Sequence, residues 1–167
     1  MTEKSIANVT TGVTADVAAT VSSIHIQCVS RLANIPTERL FHKWITAALL
    51  VSTKPAELTL RIVNAAEGRD LNSAFRGKDY ATNVLTFVYH EKKSRTLQGD
   101  LVLCAPIVAR EAREQGKPLA AHYAHLTVHG VLHLAGFDHE REQDAKRMEA
   151  REVRILAQLG YANPYES

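Results

Sequence analysis

The run HGVLHLAGFDH, from His129 to His139, constrains the backbone more tightly than any other part of this chain. His129 and His133 stand four residues apart, and at about 100° per helical residue their side chains leave one face only about 40° apart. In a helix, therefore, the two imidazoles can share one ion. Gly136 follows three residues later, and glycine is the residue type that most readily ends a helix in a left-handed conformation. A reversal there returns His139 toward the other two rings. Three neutral imidazoles suit zinc, and three protein ligands leave a fourth tetrahedral position for water, the pattern of a catalytic rather than a structural site. Imidazoles left unpaired on a buried helix would carry a desolvation cost, which argues against a chance cluster.

The spacing is similar to the metzincin zinc signature, H-E-x-x-H-x-x-G-x-x-H, at every position but one. Where those proteases carry the glutamate that takes a proton from water, this chain has Gly130. The metal cage is kept and the protease's base is missing. A zinc peptidase would need a carboxylate from elsewhere, such as Asp100 or Glu140.

The histidine-bearing helix starts afresh at Pro118 and is apolar almost all round from Leu119 to Ala135, which predicts burial. His122 and His125 lie on its histidine face, the four rings spanning about 80°. With a tetrahedral ion already supplied, these two read as hydrogen-bonding support for the ligands or as satisfied core histidines. His25, His42 and His90 carry no spacing signal. Asp138 either orients a ligand or caps the last helix.

From the N-terminal side, Ile24 to Val29 alternates like a strand, and Asn34 to Thr37 offers caps, with Pro36 suited to a helix's first turn. Leu40, Phe41, Trp44, Ile45, Ala48 and Leu49 recur at helical spacing and predict one broad core face. Leu58, Leu60 and Ile62 alternate with Thr59 and Arg61 in a second strand, and Glu67 to Ala74 reads as a short helix or turn. Val84 to Tyr89 and Gly99 to Cys104 predict a hairpin with a long basic loop, its polar tip at Glu91 to Gln98. The chain turns helical from Ala105, and Glu140 to Leu159 ends it as an amphipathic helix whose charges, Glu142 and Lys146 among them, read as a solvated face. Strands followed by a block of helices predict an α+β layered domain, with a mixed sheet of about four strands covered by helices and the histidine helix as central cover.

A chain of 167 residues with 46% hydrophobic composition can bury one core, expected over residues 24–167. Residues 1–23, rich in Thr, Ala, Val and Ser, read as a flexible extension without the pattern of a secretion signal. No stretch approaches the length of a membrane span. A net charge of +2 permits a nucleic-acid partner without arguing for one. Cys28 and Cys104 lack a C-x-x-C spacing and sit in strand-like runs, so both are expected to be buried free thiols in a reducing cytoplasm.

These residues carry a resemblance to the YbeY family of bacterial endoribonucleases. HGVLHLAGFDH is similar to that family's H-G-x-L-H-L-x-G-[YF]-D-H signature, and the preceding AHYAHLTV also looks like the family. LNSAFRGKDYATNVLTF resembles its L-N-x-x-[FY]-R-x-K-D-x-x-T-[DN]-V-L-S-F stretch, with Thr86 where serine is usual, and LQGDLVLC resembles its L-G-D-I-V-I-[CS] strand. Together they span most of Leu71 to His139, and residues 1–23 look like an extension on the family pattern. The resemblance implies a zinc-dependent cytoplasmic hydrolase that cuts single-stranded RNA and serves ribosomal RNA maturation, ribosome quality control and small-subunit assembly. It implies one zinc ion per chain on His129, His133 and His139, and matches Arg76 to an arginine that matters for cleavage.

Physical chemistry gives Arg76 two readings. Its guanidinium forks onto phosphate oxygens while Lys78 adds general attraction, or it pairs with Asp79 or Asp100. Besides the peptidase, one alternative stands: a non-catalytic ribosome-assembly factor whose zinc stiffens the fold, against which the open fourth position argues. Nickel or copper can also occupy a three-histidine site.

Overall fold

The computed structural model describes residues 23–166. Along them run β1 (Ser23–Cys28), α1 (Glu38–Leu49), β2 (Ala56–Val63), α2 (Ala65–Arg76), β3 (Val84–Val88), β4 (Leu97–Cys104), α3 (Ala105–Glu114), α4 (Leu119–Leu134) and α5 (Glu142–Gln158). The extension expected over residues 1–23 lies outside this description, apart from Ser23, which opens β1.

The strands form one sheet in the order β1-β2-β4-β3. Parallel neighbours need a crossover, and α1 supplies it between β1 and β2. β4 lies parallel to β2, with Leu101 beside Leu60, and β3 runs antiparallel along β4, with Phe87 opposite Asp100. The sheet is mixed, as expected, and β3 and β4 are the expected hairpin. β4 begins at Leu97, two residues earlier than the alternation suggested.

Because side chains alternate across a strand, the sheet has two unlike faces. Leu58, Leu60, Ile62, Leu101 and Leu103 point to one, where they meet α1, α4 and α5 in the main core. Trp44 belongs to that core, with its ring edge-on to Phe41 at 5.2 Å, and Phe41 meets Tyr123 of α4 at 5.7 Å. Val63, Leu85, Val102 and Cys104 form a smaller cluster on the opposite face, against which Leu71 of α2 packs. α4 is the central cover of the main face, as its all-round apolar sequence predicts.

Local rules set the helix ends. Thr37 caps α1 by accepting a hydrogen bond from the Leu40 N–H at 3.4 Å, so Pro36 sits just before the cap rather than in the first turn. α2 is a full three turns rather than a short helix or turn. Asn64 caps it through the Glu67 N–H at 3.0 Å, and Gly77 ends it at a φ of 66°. Only Gly68 and Asn72 of α2 are buried, so its sequence lacks the apolar stripe that would have marked its length. Cys104 is buried but Cys28 is exposed, against expectation. Cys28 ends β1, an edge strand among the described residues, and alternation along a strand sets the face of a side chain without setting its cover.

Candidate metal centre

α4 carries His129 and His133 on one face and stops at Leu134. Gly136 then takes a φ of 103°, and the Phe137 N–H closes back on the Leu132 carbonyl at 3.0 Å. This is the glycine-dependent helix end that the spacing predicts. Phe137 packs against the main core, and the Asp138 carboxylate accepts from the His139 N–H at 2.7 Å and the Glu140 N–H at 3.2 Å. Among the described residues Asp138 thus makes no hydrogen bond to a histidine ring, and the cap position of α5 is Arg141. Asp138 braces the backbone that presents His139.

The result is a compact histidine trio. Ring centroids stand 4.9 Å apart for His129 and His133, 4.7 Å for His133 and His139, and 5.7 Å for His129 and His139. One nitrogen from each falls within 4.8 Å of the others, a spacing that can hold a metal ion. His129 and His133 are half-buried and His139 is exposed, so the group opens to solvent on one side. Burial, and then the neighbouring His129 and His139, push the His133 ring down to about 4, which leaves it neutral and able to donate a lone pair at neutral pH. The donor set therefore fits a borderline-soft divalent ion.

Gly130 explains how the helix reaches this position. A Cβ there would meet Leu101 Cδ2 at 2.2 Å and Thr86 Oγ1 at 3.4 Å, so α4 lies close against β4 and β3, and a larger residue would have to displace the Leu101 side chain. Of the two replacements considered for the protease base, Asp100 follows Gly99 and precedes Leu101 on β4, so it faces away from α4 and accepts a hydrogen bond from the Tyr89 hydroxyl at 2.8 Å. Glu140 is exposed on the His139 loop.

Glu152 of α5 is a member of the site that sequence reading missed. Its helix was read as a solvated face, yet Glu152 is fully buried. It receives His129 Nδ1 at 2.5 Å, His125 Nε2 at 3.3 Å and the Tyr165 hydroxyl. Burial pushes this carboxyl up, but hydrogen bonds from His125, His129 and Tyr165 outweigh it and hold it at about 2. Its signal was present in the sequence: Glu152 interrupts the apolar stripe of Met148, Ile155 and Leu156. His125 thus supports a proposed ligand indirectly, whereas His122 is a buried histidine whose Nε2 meets Glu111 of α3 at 2.8 Å and whose Nδ1 has no hydrogen-bond partner among the described residues.

Arg76 is the last residue of α2, exposed, and next to Phe75, whose ring stacks edge-on with Phe87 of β3 at 5.1 Å. Buried Asn72 donates to the Tyr80 carbonyl at 2.7 Å and folds the segment after Arg76 back onto α2. Among the described residues neither expected acid pairs with Arg76. Asp79 takes a fork from Arg69 at 2.7 and 2.8 Å, and Asp100 is held by Tyr89. Phe75, beside Arg76, packs on Phe87 of the edge strand β3, and α4 packs over Thr86 of that strand from the opposite face.

Comparison with known proteins agrees with this geometry. Residues 25–160 match the family described as Endoribonuclease YbeY. Proteins named Endoribonuclease YbeY are 62% identical in Aromatoleum aromaticum, over 80% of this chain and 83% of that protein, and 55% identical in Nitrosomonas europaea, over 84% and 82%. The solution structure of TM1509 from Thermotoga maritima matches with a TM-score of 0.56 at 24% identity, covering 87% of this chain and all of that one, and so shares the fold. With the family matched over nearly all of the described residues, the chain belongs to the YbeY family of endoribonucleases.

Proposed function

We propose that this chain is a zinc-dependent endoribonuclease that cuts single-stranded RNA in the cytoplasm during ribosomal RNA maturation, acting on or near the small ribosomal subunit. The observation that carries the reading is the trio of His129, His133 and His139, close enough to share one ion and open on one side. Family membership supplies the RNA substrate. Bound there, a divalent ion would attract a phosphodiester and acidify water without a strong protein base.

The chain's own residues supply the rest. His129, His133 and His139 hold the ion, the first through the nitrogen that Glu152 leaves free. Arg76, unpaired with Asp79 or Asp100, has its guanidinium available to fork onto non-bridging phosphate oxygens and stabilise charge that develops there. Lys78, exposed two residues on, adds attraction for the backbone. Among the described residues no helix is long and apolar enough to cross a membrane.

The test is cleavage of a labelled single-stranded RNA beside the same RNA annealed to its complement. Cutting of the single strand that disappears with chelation and in His133→Ala, and returns with zinc in the wild type, is expected. Cutting that survives chelation overturns the reading, and peptide cleavage in its place would revive a peptidase using Glu140.

A further inference from the structure

We propose that Glu152 is the positioning residue of the metal centre, fixing which nitrogen His129 offers, and that Tyr165 at the far end of the chain locks Glu152 in place. This rests on the reading of His129 as a ligand.

A buried carboxylate is tolerated only when donors surround it. Glu152 is fully buried, and three donors converge on it from two other parts of the chain: His125 and His129 of α4, and Tyr165 beyond α5. An ionised carboxylate only accepts, so the His129 Nδ1 that meets it at 2.5 Å carries the proton. The single lone pair of that ring then sits on Nε2, the nitrogen left for an ion shared with His133 and His139. The carboxylate decides the tautomer and the tilt of the ring together.

His125, His129 and Glu152 are themselves close enough to suggest a second ion. The contact between His129 and Glu152 argues against it. Two ligands on one tetrahedral ion, at about 2.0 Å each, stand roughly 3.3 Å apart, whereas His129 Nδ1 and Glu152 are 2.5 Å apart, too close for two ligands of one ion and short even for a hydrogen bond.

The last part of the arrangement is the tail. Lys117, just before α4, donates to the Pro164 carbonyl at 2.6 Å, which pins the tail beside the start of the histidine helix. Tyr165 then reaches Glu152 with its hydroxyl and lies 5.4 Å from the His125 ring. The residues after α5 are therefore a working part of the metal centre, although the ligand motif ends at His139.

The experiment has two readouts on wild type, Glu152→Ala, Glu152→Gln and Tyr165→Phe, with folding checked by circular dichroism. Zinc affinity is measured by competition with a chromophoric chelator, and the His129 tautomer by nitrogen-15 NMR of the metal-free protein. Glu152→Ala is expected to weaken zinc binding about 10- to 100-fold and to release His129 from the Nδ1-protonated form. Glu152→Gln, which keeps the shape and loses the charge, is expected to fall between it and wild type. Tyr165→Phe is expected to cost roughly fivefold, the equivalent of one hydrogen bond. If Glu152→Ala does not fold, Glu152→Gln and Tyr165→Phe carry the test. Wild-type zinc affinity in both folded variants, with the His129 tautomer unchanged, overturns the proposal alone. A wild-type protein that takes up no zinc overturns the ligand reading on which it rests.

Discussion

His133 shows how burial prepares a proposed metal ligand before any ion arrives. Its ring is held at about 4, below the ordinary 6.5, first by burial and then by its histidine neighbours. An unfolded chain therefore binds more protons than the folded one between those two values, and folded stability falls as the pH drops through them. Metal-free protein is expected to lose melting temperature from pH 6.5 downward, before Glu152, held at about 2, begins to take up protons in the unfolded chain near 4.5. His133→Ala should flatten that decline without abolishing it, because buried His122 is also held low by desolvation. A melting series that is level from pH 6.5 to 4.5 would contradict this. Arg76 belongs at the same scale. Exposed, and paired with neither expected acid, it has little to do for stability, so Arg76→Ala should leave melting and bound zinc unchanged while turnover drops about 10²- to 10³-fold. Loss of zinc in that variant would make Arg76 structural.

Two glycines let the central elements approach one another. Gly130 brings α4 onto Leu101, and Gly99 brings β4 against β3 and the end of α4. A Cβ on Gly99 would stand 2.3 Å from the Phe87 carbonyl oxygen and 2.4 Å from Leu134 Cδ1. The first is fixed backbone of the paired strand, so Gly99→Ala is expected to destabilise by about 1–3 kcal/mol, read as a lower urea midpoint. An unchanged midpoint would mean that the hairpin is looser than it looks. Elements with a strong periodic signal were legible: α1, α4 and the alternating strands followed from spacing alone. α2 was legible only in part, since its twelve residues bury Gly68 and Asn72 rather than an apolar stripe, and its ends are set by Asn64 and Gly77.

For the whole molecule, the α+β class and the three ligand candidates could be read from the chain, because both depend on residues near one another in sequence. Strand order could not. β4 inserts between β2 and β3, so Leu60 meets Leu101 across a long stretch of chain. Glu152 and Tyr165 escaped for the same reason, since each contributes through residues of α4 that lie far upstream. Cys28 was misread because alternation fixes a face and not whether anything covers it. The joined picture is of a sheet whose main face is covered by α1, α4 and α5, in which α4 and the turn after it present three histidines and the last helix and tail steady them. The most direct test titrates zinc into metal-free protein while following bound ion and the cutting of labelled single-stranded RNA together. Cleavage is expected to rise in step with occupancy, level off at one ion per chain, and stay absent in His133→Ala. Full cleavage before any ion is bound, or one ion per chain with no cleavage, would contradict a histidine-held metal centre that cuts RNA.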